Sequence, residues 1–518
     1  MSSLKHTRLW IPELPMHKVL KKIAEELPDK HAIIHPIKMT YKELWTNVDK
    51  FAAALTDIGV RKGEKVLLVE RNTPEFVIAF HGIAEIGSTI VPINPAYKAW
   101  ELTYHINDSE AETVVVRGEC YPNLKEALSK TPNVKRVIII GEKKPEDVPE
   151  NIQTYLFQDL IKKYPPNPPE VDIKPKEDIA ILFYSSGTTG LPKGAMHTYY
   201  SQTAAFMICS CFWDPSPEDV FIFFLPFFNI YGITCQLNVC LWNGSSMVLL
   251  SEFHLEEFCK LIEQYKVTCV PVVPPVLIAL TNRPDLFKKY DLTSLSLVCY
   301  GAAPTPLAVV EKFKELLKKN IPIINWSGLT ECSPFTSNPF YKIKNESAGI
   351  PAANTEAKVI DLETNEILPP GKVGEIILRG PQQTSGYWKK PEKNKELFIE
   401  IDGKRWVRTG DVGYIDEEGY VYFVDRVKEI VKFKGYSIAP AELEALLMEN
   451  PMVADAAVIG KPDPFAGEIP KAFIILKPNI PKTKETAEKI MSFVKEKVAD
   501  YKQIREIEFV DNIPRTAS

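Results

Sequence analysis

The feature that most constrains this chain is an apolar run, Ile179-Ala180-Ile181-Leu182-Phe183, that passes directly into Tyr184-Ser185-Ser186-Gly187-Thr188-Thr189-Gly190-Leu191-Pro192-Lys193-Gly194. A short apolar run bounded by turn residues reads as a buried strand, so the hydroxyl- and glycine-rich segment is a loop at a strand end. Its chemistry points to phosphate. Gly187, Gly190 and Gly194 let backbone N–H groups come close to an anion, the Ser and Thr hydroxyls can donate to phosphate oxygens or ligate a metal, and Lys193 adds a point charge. A flexible surface loop is the plain alternative for any Ser/Thr/Gly cluster, but this order closed by Pro-Lys-Gly is far more specific. It is not a Walker loop, because Gly-x4-Gly-Lys-Ser/Thr is absent.

With 518 residues, the chain is too long for one core and should form several domains or subdomains. The 45% of hydrophobic residues is ordinary for a globular protein with large cores. Lys and Arg number 62 against 67 Asp and Glu, a net charge of −5, and the basic residues are dispersed, which argues against nucleic acid as a partner. Nine cysteines occur without a Cys-x-x-Cys pair. They lie mostly in apolar runs and read as reduced core residues of a cytoplasmic protein. Met1–Trp10 has no apolar stretch of the signal-peptide kind. Residues 220–251 carry no charge and are long enough for a membrane span, yet Pro226, Asn229, Gln236, Asn238, Asn243 and Gly244 interrupt them. A buried strand, turn and helix suit this segment better, so no integral membrane segment is expected.

From residue 16 onward the pattern reads helix, hairpin, helix, with Thr40 capping the second helix and Glu43 reaching back to it. Strand and helix then alternate through Lys65–Val69, Thr89–Ile93, Val114–Val116 and Val137–Ile140, which is doubly wound α/β patterning. A Pro-rich connector, residues 164–169, precedes the phosphate loop. After it, Leu297–Tyr300 runs into Gly301-Ala302-Ala303-Pro304, where backbone can approach a flat ligand closely. Ile321–Asn325 leads to Trp326-Ser327-Gly328-Leu329-Thr330-Glu331. A hydroxyl and a carboxylate after a strand suit phosphate contact by Thr330 and Mg2+ binding by Glu331; Thr330 alone would equally suit a helix cap. A β-rich region follows, from about Gly374 to Trp388, and then Arg408-Thr409-Gly410-Asp411. Asp411 can accept two hydrogen bonds from ribose hydroxyls, or stand as a solvated turn residue.

The loop, the Gly-Ala-Ala-Pro turn, the Leu-Thr-Glu segment and the Gly-Asp turn occur in the order that closely resembles the acyl-adenylate-forming superfamily, AMP-forming acyl-CoA synthetases included. The motifs span residues 40–518. The resemblance implies an α/β fold with a large N-terminal domain of doubly wound sheets and a β-rich subdomain, residues 1–424, and a small mobile α+β C-terminal domain, residues 425–518, hinged at Asp425. It implies ATP, Mg2+ and coenzyme A, with a carboxylic acid adenylated on the α-phosphate and then transferred to the CoA thiol. Ser185, Ser186, Gly187, Thr188, Thr189, Gly190 and Lys193 then face the phosphates, Lys193, Thr330 and Glu331 serve catalysis, and Ser185 and Glu331 the metal. Gly301, Ala302, Ala303, Asn325 and Trp326 line the adenine, and Asp411 the ribose. Arg426, Lys428 and Lys432 approach the nucleotide, while Gly435 and Tyr436 line the thiol's path. The acid sits near Asn229, Tyr231 and Gly232.

Three departures from the family pattern matter. Asn229 stands where a His is usual; Asn can hydrogen-bond but carries no charge, so the acid's carboxylate is expected to be held differently. Trp326-Ser327-Gly328 replaces Gly-Tyr-Gly, so Trp326 either stacks on adenine or fills and shortens the acyl pocket. The chain ends Pro514-Arg515-Thr516-Ala517-Ser518, and in relatives Gly-Lys follows at once; as written, the chain is expected to adenylate poorly. No Asp or Glu occurs from Phe221 to Leu250 to hold a substrate ammonium, which favours an acid without an α-amino group; tight apolar surroundings and Trp326 favour a short- to medium-chain aliphatic or hydroxy acid over a long one. A carrier-protein adenylation module and a non-catalytic nucleotide-binding relative are the alternative readings. Whether copies of the chain associate is not legible.

Overall fold

The computed structural model describes residues 8–185, 191–301, 307–426, 431–434, 436–438 and 440–513. Among them, two mostly parallel sheets carry the architecture. One runs, edge to edge, through Lys193–Thr198, Ile179–Ser185, Thr89–Ile93, Lys65–Val69, Thr113–Arg117, Arg136–Ile140 and Gln153–Leu156, with Gly386–Tyr387 outside Lys193–Thr198. The other contains Ile323–Leu329, Leu297–Tyr300, Cys269–Val272, Val220–Phe223, Ser246–Leu249 and His31–His35 in that order.

The apolar runs of these strands have a direct cause. Both faces of a parallel sheet are covered by helices, so successive residues must all be apolar, each facing a different core. In Lys65–Val69, Val66 and Leu68 join the core between the two sheets, shared with helices Tyr41–Asp57, Pro74–Glu85 and Tyr199–Trp213. Leu67 and Val69 face the opposite core, under helices Ala99–Ser109 and Tyr121–Leu128. In Val220–Phe223, Phe221 and Phe223 likewise face the shared core and Ile222 the outer one.

Lys65–Val69 is flanked by Thr89–Ile93 on one side and Thr113–Arg117 on the other, and Val220–Phe223 by Ser246–Leu249 and Cys269–Val272. At each of these points the chain winds away in both directions, leaving a crevice beyond the carboxyl ends of the strands. A third, antiparallel sheet of Glu356–Ile360, Gly374–Arg379, Lys404–Ile415, Phe398–Ile401 and Val421–Arg426 is the β-rich region expected from the sequence. Val421–Arg426 leads on to a small α+β unit, where Val431–Phe433, Tyr436–Ile438, Val453–Asp463, Gly467–Leu476 and Glu506–Phe509 form a sheet under helices Pro440–Met448 and Lys484–Lys497.

The uncharged segment folds as strand Val220–Phe223, three consecutive short helical pieces from Ile230 to Trp242, and strand Ser246–Leu249. No helix among the described residues is long and apolar enough to cross a membrane. Of the nine free cysteines, eight are buried and Cys211 is exposed. The capping box forms as expected: Glu43 N donates to Thr40 Oγ1 at 3.2 Å and Thr40 N to Glu43 Oε2 at 2.8 Å. Replacing Thr40 with Ala should therefore destabilise the large domain by about 1 kcal/mol, read by calorimetry as a lower midpoint for its transition; an unchanged midpoint would refute the cap's role.

Candidate active site

The carboxyl ends of strands from both parallel sheets open into one cavity of about 700 Å³. Ile93 and Asn94 enter it from one strand end, Tyr184 and Ser185 from the next, residues 224–226 and 228–231 from the loop after Val220–Phe223, and Val273 after Cys269–Val272. Opposite them stand Arg408–Asp411 of the third sheet, and Lys432, Lys434, Tyr436, Tyr501 and Lys502 of the small unit.

Ser185 pairs with Lys193 in the antiparallel register of their two strands, so the chain leaves and rejoins the cavity wall at one point on either side of the Ser/Thr/Gly-rich segment. Ser186 to Gly190 lie outside the described residues. Ser185 Oγ is buried with no partner in hydrogen-bonding geometry among the described residues. Lys193 Nζ sits 4.8 Å from the centre of the Tyr387 ring, a cation–π distance. The Tyr387 hydroxyl donates to Glu331 Oε1 at 2.6 Å. Burial, and then the Glu331 charge, push the Tyr387 phenol well above its ordinary value, so it remains a donor.

Thr330 and Glu331 form the tight turn of a hairpin between Ile323–Leu329 and Cys332–Ser337, with Leu329 opposite Cys332. The helix-cap alternative for Thr330 therefore falls, because the chain turns back as strand. The turn is tied down from outside: His197 Nε2 donates to the Thr330 carbonyl at 2.8 Å, and Thr384 N to the Glu331 carbonyl at 2.8 Å. Burial lowers the His197 pKa to about 4, which keeps the ring neutral at physiological pH.

Asp411 follows Gly410, whose φ of 68° is the left-handed conformation glycine adopts most readily. It lies within strand Lys404–Ile415 and is buried, so it is not a solvated turn residue. Beside it Arg408 clasps Glu375, with Nε at 2.9 Å and Nη2 at 2.6 Å from Oε2, and Gly410 N donates to Glu375 Oε1 at 3.2 Å.

At the positions expected from the sequence to meet the acid, Asn229 caps a short helix: its Oδ1 accepts from Gly232 N at 2.8 Å. A side chain at Gly232 would run into the Pro226 carbonyl, which is why glycine stands there. The Tyr231 hydroxyl donates to Val272 O at 3.2 Å. Trp326 is 4% exposed and meets Trp213 and Tyr231 edge to face, with ring centres at 6.0 and 4.7 Å. Gly301 lies against it; a Cβ there would come within 2.8 Å of the Trp326 carbonyl.

Ser185, Lys193, Asn229, Tyr231, Trp326, Thr330, Glu331, Asp411, Lys432 and Tyr436 thus share the cavity wall. Gly232, Gly301 and Asn325 stand behind it, Asn325 donating to Ser347 O at 3.1 Å. Ala302, Ala303, Lys428, Gly435 and the terminal run 514–518 lie outside the described residues; Asp425 and Arg426 are strand residues by backbone. The sequence reading missed Asn72. This buried side chain donates to Leu225 O at 2.9 Å and accepts from Phe227 N at 2.9 Å, fixing the loop that carries Asn229 and Tyr231. Its single sequence signal is a polar residue just after a buried strand.

This arrangement defines an adenylate-forming fold. The AMP-binding enzyme family matches residues 20–388 and the AMP-binding enzyme C-terminal domain residues 442–518. The chain is 35% identical to a peroxisomal OPC-8:0-CoA ligase of Arabidopsis thaliana over 93% of its length and 86% of that protein's. It is 34% identical to a 4-coumarate–CoA ligase of Petroselinum crispum, over 98% and 93%. The crystal structure of a long-chain-fatty-acid-CoA ligase from Archaeoglobus fulgidus superposes with a TM-score of 0.82 at 32% identity, covering 98% of this chain and all of that one. The chain belongs to the AMP-binding enzyme family. It is an AMP-forming acid–thiol ligase, with acyl-CoA ligase activity as its reaction type.

Removing the Asn72 clasp should loosen the loop that carries Asn229 and Tyr231, the positions expected to meet the acid. Asn72→Ala is expected to lower kcat/KM for the acid by about tenfold, the scale of losing buried hydrogen bonds, with the KM for ATP nearly unchanged. Steady-state kinetics in both substrates checks this, and an equal loss for both would refute it.

Proposed function

We propose that the protein activates a short- to medium-chain aliphatic or hydroxy acid. The observation that carries this reading is Trp326, a large ring on the cavity wall packed against Trp213 and Tyr231 where relatives have glycine. A ring fixed on two sides cannot swing aside cheaply, so the space for the acyl chain is short. The lack of any acidic residue from Phe221 to Leu250 supports an acid without an ammonium group.

In the first step an oxygen of the acid attacks the α-phosphorus of ATP and pyrophosphate leaves; in the second the CoA sulfur attacks the acyl carbonyl and AMP leaves. The protein's part is positioning and charge stabilisation. Ser185, Thr188, Thr189 and Lys193 receive the β- and γ-phosphates and Thr330 a phosphate oxygen. Asp411 accepts from the ribose, Gly301 to Ala303 pass the edge of the adenine, and Arg426, Lys428 and Lys432 approach the nucleotide. The hard oxygens of Glu331 and Ser185 on one wall fit Mg2+, which keeps most of its ligands as water and phosphate. When bound, the ion supplies positive charge to the phosphates. Tyr387 then holds the Glu331 carboxylate in place. The small domain, residues 425–518, turns about Asp425 between the two steps and brings Gly435 and Tyr436 to the thiol's route.

AMP release from ATP, measured over straight-chain and hydroxy acids with and without CoA, tests the reading. AMP that depends on both acid and CoA, strongest for short and medium chains, is expected; preference for long chains would overturn the chain-length assignment. Trp326→Gly should shift the preference towards longer acids, raising their relative kcat/KM by about tenfold, as expected when an apolar pocket gains room. An unchanged ranking of acids would show that Trp326 does not limit the pocket.

A further inference from the structure

The small unit is seated on the large one through a buried cluster of charges. Glu101, at the first turn of helix Ala99–Ser109, accepts from Lys98 N of its own domain at 3.0 Å and from Ala499 N of the small unit at 3.1 Å. Lys502 Nζ lies 3.2 Å from Glu101 Oε1, and donates to Glu442 Oε1 at 2.8 Å and Oε2 at 3.0 Å. It also donates to the Tyr97 hydroxyl at 3.3 Å. Glu101, Glu442 and Lys502 are each at most 2% exposed. Around them the contacts are peripheral: Trp100 Nε1 to Glu449 at 3.2 Å, Asn94 Nδ2 to the Tyr501 hydroxyl at 3.3 Å, and Lys98 Nζ to the Lys495 carbonyl.

These peripheral hydrogen bonds are individually weak, although the Trp100 ring also packs against the apolar core of the small unit. A buried ammonium shared by two carboxylates behaves differently, because separating the domains leaves charges to be resolvated and rejoining them works in only one geometry. Lys502 and Tyr501 are neighbours in the turn Asp500–Lys502, and Tyr501 stacks on Tyr436 with ring centres 4.2 Å apart. The cluster therefore sets where Tyr436, Tyr501 and Lys434 meet the cavity.

We propose that Glu101 is a positioning residue for the thiol step: through Lys502 it latches the small domain in the orientation that presents Tyr436 to the cavity. The inference rests on the two-step reading above, in which Tyr436 lies on the thiol's route. Glu101 is outside the cavity wall and touches no substrate position. Its charge should matter to thioester formation and not to adenylate formation.

The test uses Glu101→Gln in the full chain, which keeps a carbonyl acceptor for the two N–H groups and removes the charge. Synthetic hexanoyl-adenylate is mixed with CoA in a single turnover, and adenylate formation from ATP and hexanoate is followed separately without CoA. The expected result is a thioester step slowed by about tenfold, the usual scale of coupling between two states, with adenylate formation within about twofold of the unaltered chain. Equal losses in both steps, or no loss in either, would overturn the latch. Trp100→Ala loosens the same interface away from the cavity and should give the same one-sided pattern; it decides the matter if calorimetry shows that Glu101→Gln fails to fold. Failure of the unaltered chain to convert the adenylate with CoA would instead overturn the two-step reading.

Discussion

Ser185 and Lys193 face each other across an antiparallel pair of strands, and much of the site depends on that register. The strand that begins at Lys193 also pairs on its other edge with Gly386–Tyr387, placing Tyr387 opposite Ala195. One strand thus fixes the return of the phosphate-directed loop, the ammonium of Lys193 and the ring beneath it. Tyr387 in turn holds Glu331, on a hairpin that belongs to the other parallel sheet. A slip of one residue in this pairing would turn Lys193 to the opposite face and separate all three. His197, on the same strand, ties the hairpin from the other side at Thr330. The cavity is therefore a junction of two sheets that share one apolar core and are tied at the cavity by a few side-chain hydrogen bonds.

The parts of this arrangement that depend on local chemistry were legible in the sequence. The capping box at Thr40 and the apolar strands follow from neighbouring residues alone. The motif residues were readable as a set through their order along the chain, which resembles that of the family, and those among the described residues that line the cavity stand at strand ends, in hairpin turns and in loops. What could not be read were pairings between distant segments. Asn72 serves a loop more than 150 residues away, and nothing near it in the chain specifies that partner. Thr330 shows the same limit: a hydroxyl after a strand suits a cap or a turn equally, and the pairing of residues 332–337 with 323–329 decides between them.

Trp326 illustrates how an open alternative is narrowed by packing. The sequence admits stacking on adenine or filling of the acyl end of the cavity. In the fold its ring is nearly enclosed, with Trp213 and Tyr231 against it at steep interplanar angles of 89° and 67°. Edge-to-face contacts of this sort favour a fixed ring, since each edge meets the electron-rich face of its neighbour. A ring so engaged has little surface left to offer as a flat platform, and its bulk occupies space that glycine would leave open.

The two sides of the cavity thus carry different kinds of constraint. The apolar side is built from side chains embedded in the core between two sheets, where rearrangement would open voids or force overlaps, so the shape offered to an acid is fixed with the fold. The side contributed by the small unit is held through Glu101, Lys502 and Glu442, where charge and hydrogen-bond geometry, more than apolar area, fix the seat. Packing of the first kind is spread over many side chains and reinforced at one loop by Asn72, whereas a buried ion cluster loses its hold when a single charge is removed. On the proposed reading, selection among acids and presentation of the thiol route are accordingly governed by separate residues, and a substitution can alter one while leaving the other in place.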